Sequence, residues 1–229
     1  LGSVLKRIRF LAADPATFVT TAAYPNLLEN IAIKGDRAYV PNTCQSPDGA
    51  SRFNVNVQSC VSVFDTVNDL DSNQTLNMNK GVGNEPVGQR LFNTNPIAIA
   101  FKHNADEGFA VLAATNRIIK VELEAGAPTV NAPPAPVAQT PIVRIEVGKN
   151  PRGIVINSTD TRAYVMNFIS RDVSCVDLTA NPPVKLADIP SAALPLCSAS
   201  QSLQLLLKQI ADDAIPPEAD KNAVELLGW

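Results

Sequence analysis

A segment of this chain recurs within it. Displaced by 55 positions, the sequence places Asn95-Pro96 on Asn150-Pro151, Ile99 on Ile154, Phe101 on Ile156, Phe109 on Tyr164, Ile118 on Val173, Val121 on Val176, Glu122 on Asp177 and Leu123 on Leu178, without a gap. A third copy lies upstream, where PNLLENIAIKGDRAYVPN (25–42) aligns with PRGIVINSTDTRAYVMN (151–167) after one extra residue. Arg37-Ala38-Tyr39-Val40 then matches Arg162-Ala163-Tyr164-Val165, and Asn42 matches Asn167. Between this stretch and VSVFD (61–65), which matches VSCVD (173–177), the displacement falls from 125 to 112. The 13 additional residues are the segment bracketed by Cys44 and Cys60. Tandem recurrence on this scale restricts the fold to a repeat architecture, a solenoid or a propeller.

Within each copy, short apolar runs alternate with polar turns such as KHNADE (102–107) and NSTDT (157–161), the pattern of hairpins. Abundant Asn and 18 Pro among Val, Ile and Ala favour strands and turns over long helices. In the third copy the pattern predicts strands at 152–157, 162–167, 173–178 and about 184–189, with a turn at Ser170 to Asp172. Four antiparallel strands make one propeller blade, and the apolar runs are continuous because a blade is covered on both faces. The expected fold is therefore all-β: about three β-propeller blades of four antiparallel strands, part of a larger ring, with a short helical C-terminal segment. The boundaries read as 1–24, the end of a preceding blade and a connector; 25–94, a first blade carrying the cysteine-bracketed insertion; 95–149, a second blade; 150–190, a third; and 191–229, a helical tail or insertion. In that tail Leu203, Leu206, Leu207 and Ile210 fall at helical spacing after Ser200 or Ser202 as cap, and Pro216-Pro217 stops the helix. A second short helix is expected from Pro217-Glu218 through Leu227 to Gly228.

The segment NPRGIVINSTDTRAYVMNFISRDVSCVDL resembles the YVTN-type β-propeller repeat, whose Tyr-Val-Thr-Asn segment here reads Tyr164-Val165-Met166-Asn167 and Tyr39-Val40-Pro41-Asn42. The middle copy has Phe109-Ala110-Val111-Leu112 there, so that blade is assigned by register. The resemblance covers about residues 25–190 and implies export from a bacterial or archaeal cell, commonly a seven-bladed ring, and in some members attachment to cytochrome c or other redox modules. Ring closure takes four to eight blades. The expectation is that these residues are a portion of a longer polypeptide, with Leu5 to Leu11 reading as the outer strand of an earlier blade; completion by other chains is the alternative.

Several functions are disfavoured by the residues. A net charge of −3 leaves no basic footprint for nucleic acid, and no apolar run reaches the roughly 20 residues of a membrane helix. Cys44, Cys60, Cys175 and Cys197 form neither C-x-x-C nor C-x-x-C-H, so neither a thiolate zinc site nor a haem attachment is written in them. A Cys44–Cys60 disulfide would remove about 3 kcal/mol of chain entropy from the unfolded state. Cys175 and Cys197 form a second candidate pair, and an even cysteine count points to an exported, periplasmic or extracellular protein.

His103, the one histidine, falls opposite Ser158 in a turn and reads as solvated, without the company that metal coordination or a Ser/His/Asp device needs. Asp65, Glu122 and Asp177 recur at the end of the third strand of each copy and read as acceptors of turn amides. Asp69, Asp71 and Asn73 resemble the opening of a calcium loop, although Gln74 and Lys80 replace its Gly and bidentate Glu. Gly81-Val82-Gly83 reads as a loop rather than a phosphate-binding turn, and Gly126 to Pro141 as a stiff Pro/Ala-rich connector. Two N-x-S/T sequons, at Asn73 and Asn157, matter only in a glycosylating host. No catalytic constellation is visible. The leading expectation is an exported binding or interaction scaffold whose partner is the remainder of the propeller or another protein. The alternatives are a haem- or metal-dependent redox protein and a calcium-dependent propeller hydrolase or lactonase, either drawing its cofactor from other sequence or partner chains.

Overall fold

The computed structural model describes residues 6–10, 23–46, 56–130 and 142–190. The expected helices of the tail, Cys197 and most of the Pro/Ala-rich connector lie outside these residues. The described chain is nearly all β, in three antiparallel sheets that follow one another along the sequence.

The third sheet is the simplest. Strands β12 (Pro151–Ile156), β13 (Arg162–Asn167), β14 (Asp172–Asp177) and β15 (Val184–Pro190) pair in sequence order, as a meander of one blade. These strands match the four expected from the apolar runs to within one residue at each end. The second sheet has β7 (Pro96–Phe101), β8 (Glu107–Leu112) and β9 (Arg117–Glu124) in the same order, but its outer position is shared by two short strands, β10 (Ala127–Thr129) and β11 (Arg144–Glu146), both paired with β9. The start of the expected connector is therefore strand: the chain folds back on β9 through Ala125 and Gly126, both left-handed at φ 50° and 82°. Glycine suits the second position because an L side chain is strained at φ 82°; a Cβ there would also displace the Arg37 side chain.

The first sheet is split on both sides. Its long hairpin, β3 (Arg37–Gln45) and β4 (Val57–Asp65), carries β1 (Tyr24–Asn26) and β2 (Ala32–Lys34) along β3, and β5 (Leu70–Asp71) and β6 (Leu76–Asn77) along β4. Each strand of this hairpin has nine residues, against six in β13 and β14. The surplus lies beyond Asn42↔Cys60, where Thr43, Cys44 and Gln45 pair with Ser59, Gln58 and Val57. The displacement change seen in the sequence is thus an extension of one hairpin.

Register explains how the blades stack. Directly paired residues share a face, so Tyr39 and Val63 look one way while Ala38 and Phe64 look the other. Between the first and second sheets lies a core of Tyr39, Val61 and Val63 against Ile99, Ala110, Leu112, Ile119 and Val121. Between the second and third lies another, with Ile97, Phe109, Val111 and Ile118 against Ile156, Ala163, Val165 and Val176. The middle blade buries Phe109, Val111 and Ile118 on one face and Ala110, Leu112 and Ile119 on the other, which is why its strands lack polar alternation. Each of the fully buried Phe, Val, Ile and Leu side chains contributes roughly 1.5–3 kcal/mol, and Ala110 correspondingly less.

The backbone repeats as well. Asn95 and Asn150 both sit left-handed at φ 53°, a conformation Asn tolerates, just before a Pro that opens the inner strand. Their carbonyls accept the amides of Ala113 and Phe168, each at 3.0 Å, and both strands shift register after the Pro. Asn116 and Arg171, again 55 apart, are both left-handed at φ 56° in the turns before β9 and β14.

Candidate interaction surface

The cysteine-bracketed segment is closed as expected: Cys44 and Cys60 form a disulfide with Cα atoms 5.9 Å apart, spanning the hairpin diagonally from β3 to β4. Both sulfurs lie in a small buried cluster with Ala23. At the end of the paired region the Ser46 amide donates to the Asn56 carbonyl at 2.9 Å. On the other side of β3, strand β1 runs antiparallel to its tip, pairing Tyr24 with Gln45 and Asn26 with Thr43. Tyr24, Pro25, Asn26, Gln45 and Ser46 line an open cleft of about 340 Å3.

The two outward faces of the three-blade stack differ. On the first blade, the face bearing Ala38, Val40, Asn42 and Ser62 is buried, and Phe10 packs edge-on against Phe64 with ring centroids 6.1 Å apart. On the third blade the far face is incompletely covered. Tyr164, Met166 and Val173 occupy the register positions of Phe109, Val111 and Ile118, which are fully buried in the middle blade. Here Tyr164, Val173 and Cys175 are only half-buried and Met166 is 39% exposed, with Phe168, Ile169, Val184 and Leu186 exposed nearby.

The Asn that closes the Tyr-Val-x-Asn segment is a buried structural link. Asn42 Nδ2 donates to the Val40 carbonyl at 2.8 Å and to Ser62 Oγ at 3.0 Å; Asn167 Nδ2 donates to Asp172 Oδ1 at 2.6 Å and to Ser174 Oγ at 2.9 Å. Gly148 is needed beside it, because a Cβ there would meet the Asn167 amide at 2.5 Å. In the middle blade the two positions are Leu112 and Ile119, both fully buried. The Asn and its Ser are thus exchanged together for an apolar pair.

Contacts between turns tie the blades at one edge. Lys34 Nζ donates to the carbonyls of Lys102 and His103 at 2.7 and 2.8 Å, joining blades one and two. Asp160 joins blades two and three: its carboxylate accepts the backbone amides of His103 at 2.6 Å and Asn104 at 2.7 Å, and lies 3.0 Å from His103 Nδ1. Burial pushes the Asp160 carboxyl up, but these hydrogen bonds outweigh it and hold the group below the ordinary carboxylate range. His103, expected to be solvated, is therefore an inter-blade contact, although its side chain is 41% exposed.

The recurring acids divide. Asp65 accepts the amides of Val67 and Asn68 at 2.7 and 3.1 Å, and Asp177 that of Thr179 at 2.9 Å, as the turn-acceptor reading requires. Hydrogen bonds from Asn68 to Asp65, and from Thr179 to Asp177, lower both carboxyls. Glu122 is different. It stands directly opposite Glu107, where the other blades pair Arg37 with Asp65 and Arg162 with Asp177. Lys120 Nζ reconciles the two carboxylates, lying 2.7 Å from each, and Lys102 Nζ adds a contact of 2.6 Å to Glu107. Burial alone would lower the Lys120 ammonium, but the hydrogen bonds and charges of Glu107 and Glu122 raise it overall.

Asp71 closes β5, and Asp69 and Asn73 lie in the chain on either side of it. Asp69 and Asn73 are left-handed at φ 54° and 53°, and Asp71 Oδ1 accepts the Asn73 amide at 2.9 Å. Among the described residues no group of three or more His, Cys, Asp or Glu converges to hold a metal ion. Asn157 is buried, and its amide serves its own turn through Thr159, Thr161 and Arg162, whereas Asn73 is exposed. Cys175 lies on β14, half-buried. Gly81 is left-handed at φ 82° and opens a single 3-10 turn, Val82–Asn84, which inserts Val82 into the first inter-blade core.

Sequence reasoning missed the buried charges beside that turn. Arg144 and Glu85 form a two-pronged ion pair at 2.8 and 3.2 Å, with side chains only 6% and 2% exposed. Arg144 Nε also donates to Asn93 Oδ1 at 3.1 Å, and Asn93 exchanges hydrogen bonds with Asn79 and Met78. The cluster clamps the crossover between the first two blades to β11. Its two charges are 59 positions apart and have no counterpart in the other copies, so no local or repeating signal announces them.

No protein-family model and no curated protein matches this chain. Solved structures do match in outline. Hydrazine synthase of Kuenenia stuttgartiensis aligns with a TM-score of 0.47 at 10% identity, over 68% of this chain and 47% of its own. A functionally unknown protein from Desulfotomaculum acetoxidans gives 0.44 at 9% identity, over 78% and 65%, and apo AztD from Citrobacter koseri 0.38 at 11%, over 74% and 48%. The chain spans about half to two thirds of the length of these structures.

Proposed function

We propose that the chain is a unit of an exported propeller of YVTN-type repeats that serves as an interaction scaffold, and that the far face of the third blade seats another blade-like sheet. The observation that carries this reading is the contrast within one repeat register: Phe109, Val111 and Ile118 are fully buried, while Tyr164 and Val173 are half-buried and Met166 is 39% exposed. Apolar side chains left partly exposed on a sheet face, where their counterparts in the same chain are fully covered, are the kind of surface that marks an interaction site. The disulfide supports an oxidising compartment, outside the cytosol. No helix among the described residues is long and apolar enough to cross a membrane.

The test compares the purified chain with a Tyr164→Asp/Met166→Asp variant by sedimentation and by binding of a dye that reports exposed apolar surface. The wild-type chain is expected to self-associate or bind the dye, and the variant to lose at least half of that signal while keeping its β-sheet circular dichroism. A monomeric, dye-silent wild-type chain, or an unchanged variant, overturns the reading.

A further inference from the structure

At the end of the stack where the turns before β9 and β14 lie, the third blade carries side chains that its fold does not require. Phe168, Ile169 and Arg171 belong to the turn between β13 and β14, and Lys149 and Arg152 lie beside it, on either side of Asn150-Pro151. The middle blade builds the same turn with Ala113, Ala114 and Asn116, and has Thr94 and Ile97 at the other two positions. Both turns close alike: the Ala113 and Phe168 amides donate to the carbonyls of Asn95 and Asn150 at 3.0 Å, and Asn116 and Arg171 share φ 56°. Two large apolar side chains and three cations thus stand on a frame that closes without them in the neighbouring blade. We infer that this patch docks on an anionic phospholipid surface.

The patch continues onto the first blade. Arg152 Nη1 lies 3.7 Å from Glu29 Oε2, and its guanidinium carbon is 6.0 Å from the Phe168 ring centroid. The Ile169 amide donates to the Lys149 carbonyl at 3.1 Å, which keeps the basic and apolar residues of the third blade together. Glu29 follows Leu27 and Leu28 and precedes Ile31, so Arg152 is where two exposed apolar segments meet. Leu27, Leu28, Ile31, Phe168 and Ile169 are 53–64% exposed.

Charge and exposure together select the partner. Lys149, Arg152 and Arg171 are all exposed, and Glu29 offsets only part of one of them, although the whole chain has a net charge of −3. An anionic partner matches this local positive charge. Apolar side chains that project more than half of their surface do not line a groove, which a bound helix or extended peptide would need. They can instead enter the boundary between headgroups and acyl chains, with Lys and Arg at the depth of the phosphates. A bilayer surface therefore fits this patch better than a peptide does. The contact is peripheral and uses neither Tyr164, Met166 nor Val173, so it goes beyond the seating of another sheet.

The experiment measures cosedimentation of the intact, oxidised chain with vesicles of phosphatidylcholine alone and of phosphatidylcholine mixed with phosphatidylglycerol. Binding is expected to the phosphatidylglycerol vesicles and should weaken as salt is raised. One variant, Phe168→Ala/Ile169→Ala, copies the turn of the middle blade. A second, Lys149→Thr/Arg152→Gln/Arg171→Asn, takes the middle blade's residues at its outer two positions and removes all three charges. Each should weaken binding roughly tenfold or more with the β-sheet circular dichroism unchanged, because projecting apolar side chains and cations near a charged bilayer both contribute, the latter roughly fivefold apiece. Tyr164→Ser/Met166→Ser should bind these vesicles like the wild type, which separates failure here from failure of the scaffold reading. The inference is overturned if phosphatidylglycerol vesicles bind no better than neutral ones, if either patch variant binds like the wild type, or if the Tyr164→Ser/Met166→Ser variant loses the binding. It is equally overturned if a soluble peptide of Glu and Leu binds the patch while the vesicles do not.

Discussion

At the scale of single residues, the middle blade shows how one position can need a different solution in each copy. Where blades one and three oppose an Arg and an Asp, it opposes Glu107 and Glu122, and Lys120 keeps the two carboxylates from repelling. Lys120→Met should therefore lower stability by about 1–2 kcal/mol, read as a shift of the urea midpoint, because it leaves like charges directly paired. A Glu122→Gln change made in the same background should recover part of the loss. The pH dependence has a fixed sign. Glu107 is pushed up by burial but lowered overall by Lys102 and Lys120, and Asp160 is likewise lowered overall. A carboxyl depressed in the folded state adds stability above its unfolded value of about 4, and that stability is lost as pH falls through the lower folded value. Lys120, raised in the folded state, adds stability fully present below about pH 10.4 and lost as pH rises through its folded value. Chemical denaturation across pH should thus show a plateau between about pH 5 and pH 10, falling on the acid side. Asp160→Asn, which keeps the left-handed backbone acceptable, should flatten part of the acid limb and cost roughly 1–2 kcal/mol at neutral pH.

At the scale of elements, the hairpins carry the recurring design and the sequence displays most of it. The strands of the third blade were legible to within a residue because polar turns separate runs of similar length; the displacement change between Asn42 and Val61 marked an insertion in the first copy, but not that the insertion lengthens both strands of its hairpin. What was not legible arises from contacts with no spacing rule: the splitting of the edge positions in the first two sheets, the use of Lys34 and Asp160 as ties between turns, and the Glu85–Arg144 clamp. The cleft was hidden for the same reason, since Tyr24 and Gln45 meet only through strand pairing. The Asn–Ser link makes a quantitative case. Asn167→Leu alone should cost about 2–3 kcal/mol by leaving Ser174 and Asp172 without their amide donor, whereas Asn167→Leu with Ser174→Ile, which copies the middle blade, should cost less than the sum of the single changes. A thermodynamic cycle measured by denaturation decides this. Reducing Cys44–Cys60 should destabilise the chain by about 3 kcal/mol and raise hydrogen exchange first at Thr43 to Gln45 and Val57 to Ser59.

At the scale of the whole molecule, the account rests on blades that stand side by side with one apolar core between each neighbouring pair. The cores are built by strict alternation along strands that read as uniformly apolar, so the middle blade is the one whose sequence says least about facing and whose burial says most. The outermost faces differ in kind: the first blade is covered on the side of Phe64, while the third leaves Tyr164, Met166 and Val173 incompletely buried. The most direct test is the pattern of methyl and aromatic NOEs in the selectively labelled chain. The stack predicts contacts linking Val61 or Val63 with Ile99, Leu112 or Ile119, and separately Phe109 or Val111 with Val165 or Val176, with none joining Val63 to Val165. A single merged network connecting the first and third sheets directly, or the absence of both inter-sheet sets, would contradict the arrangement.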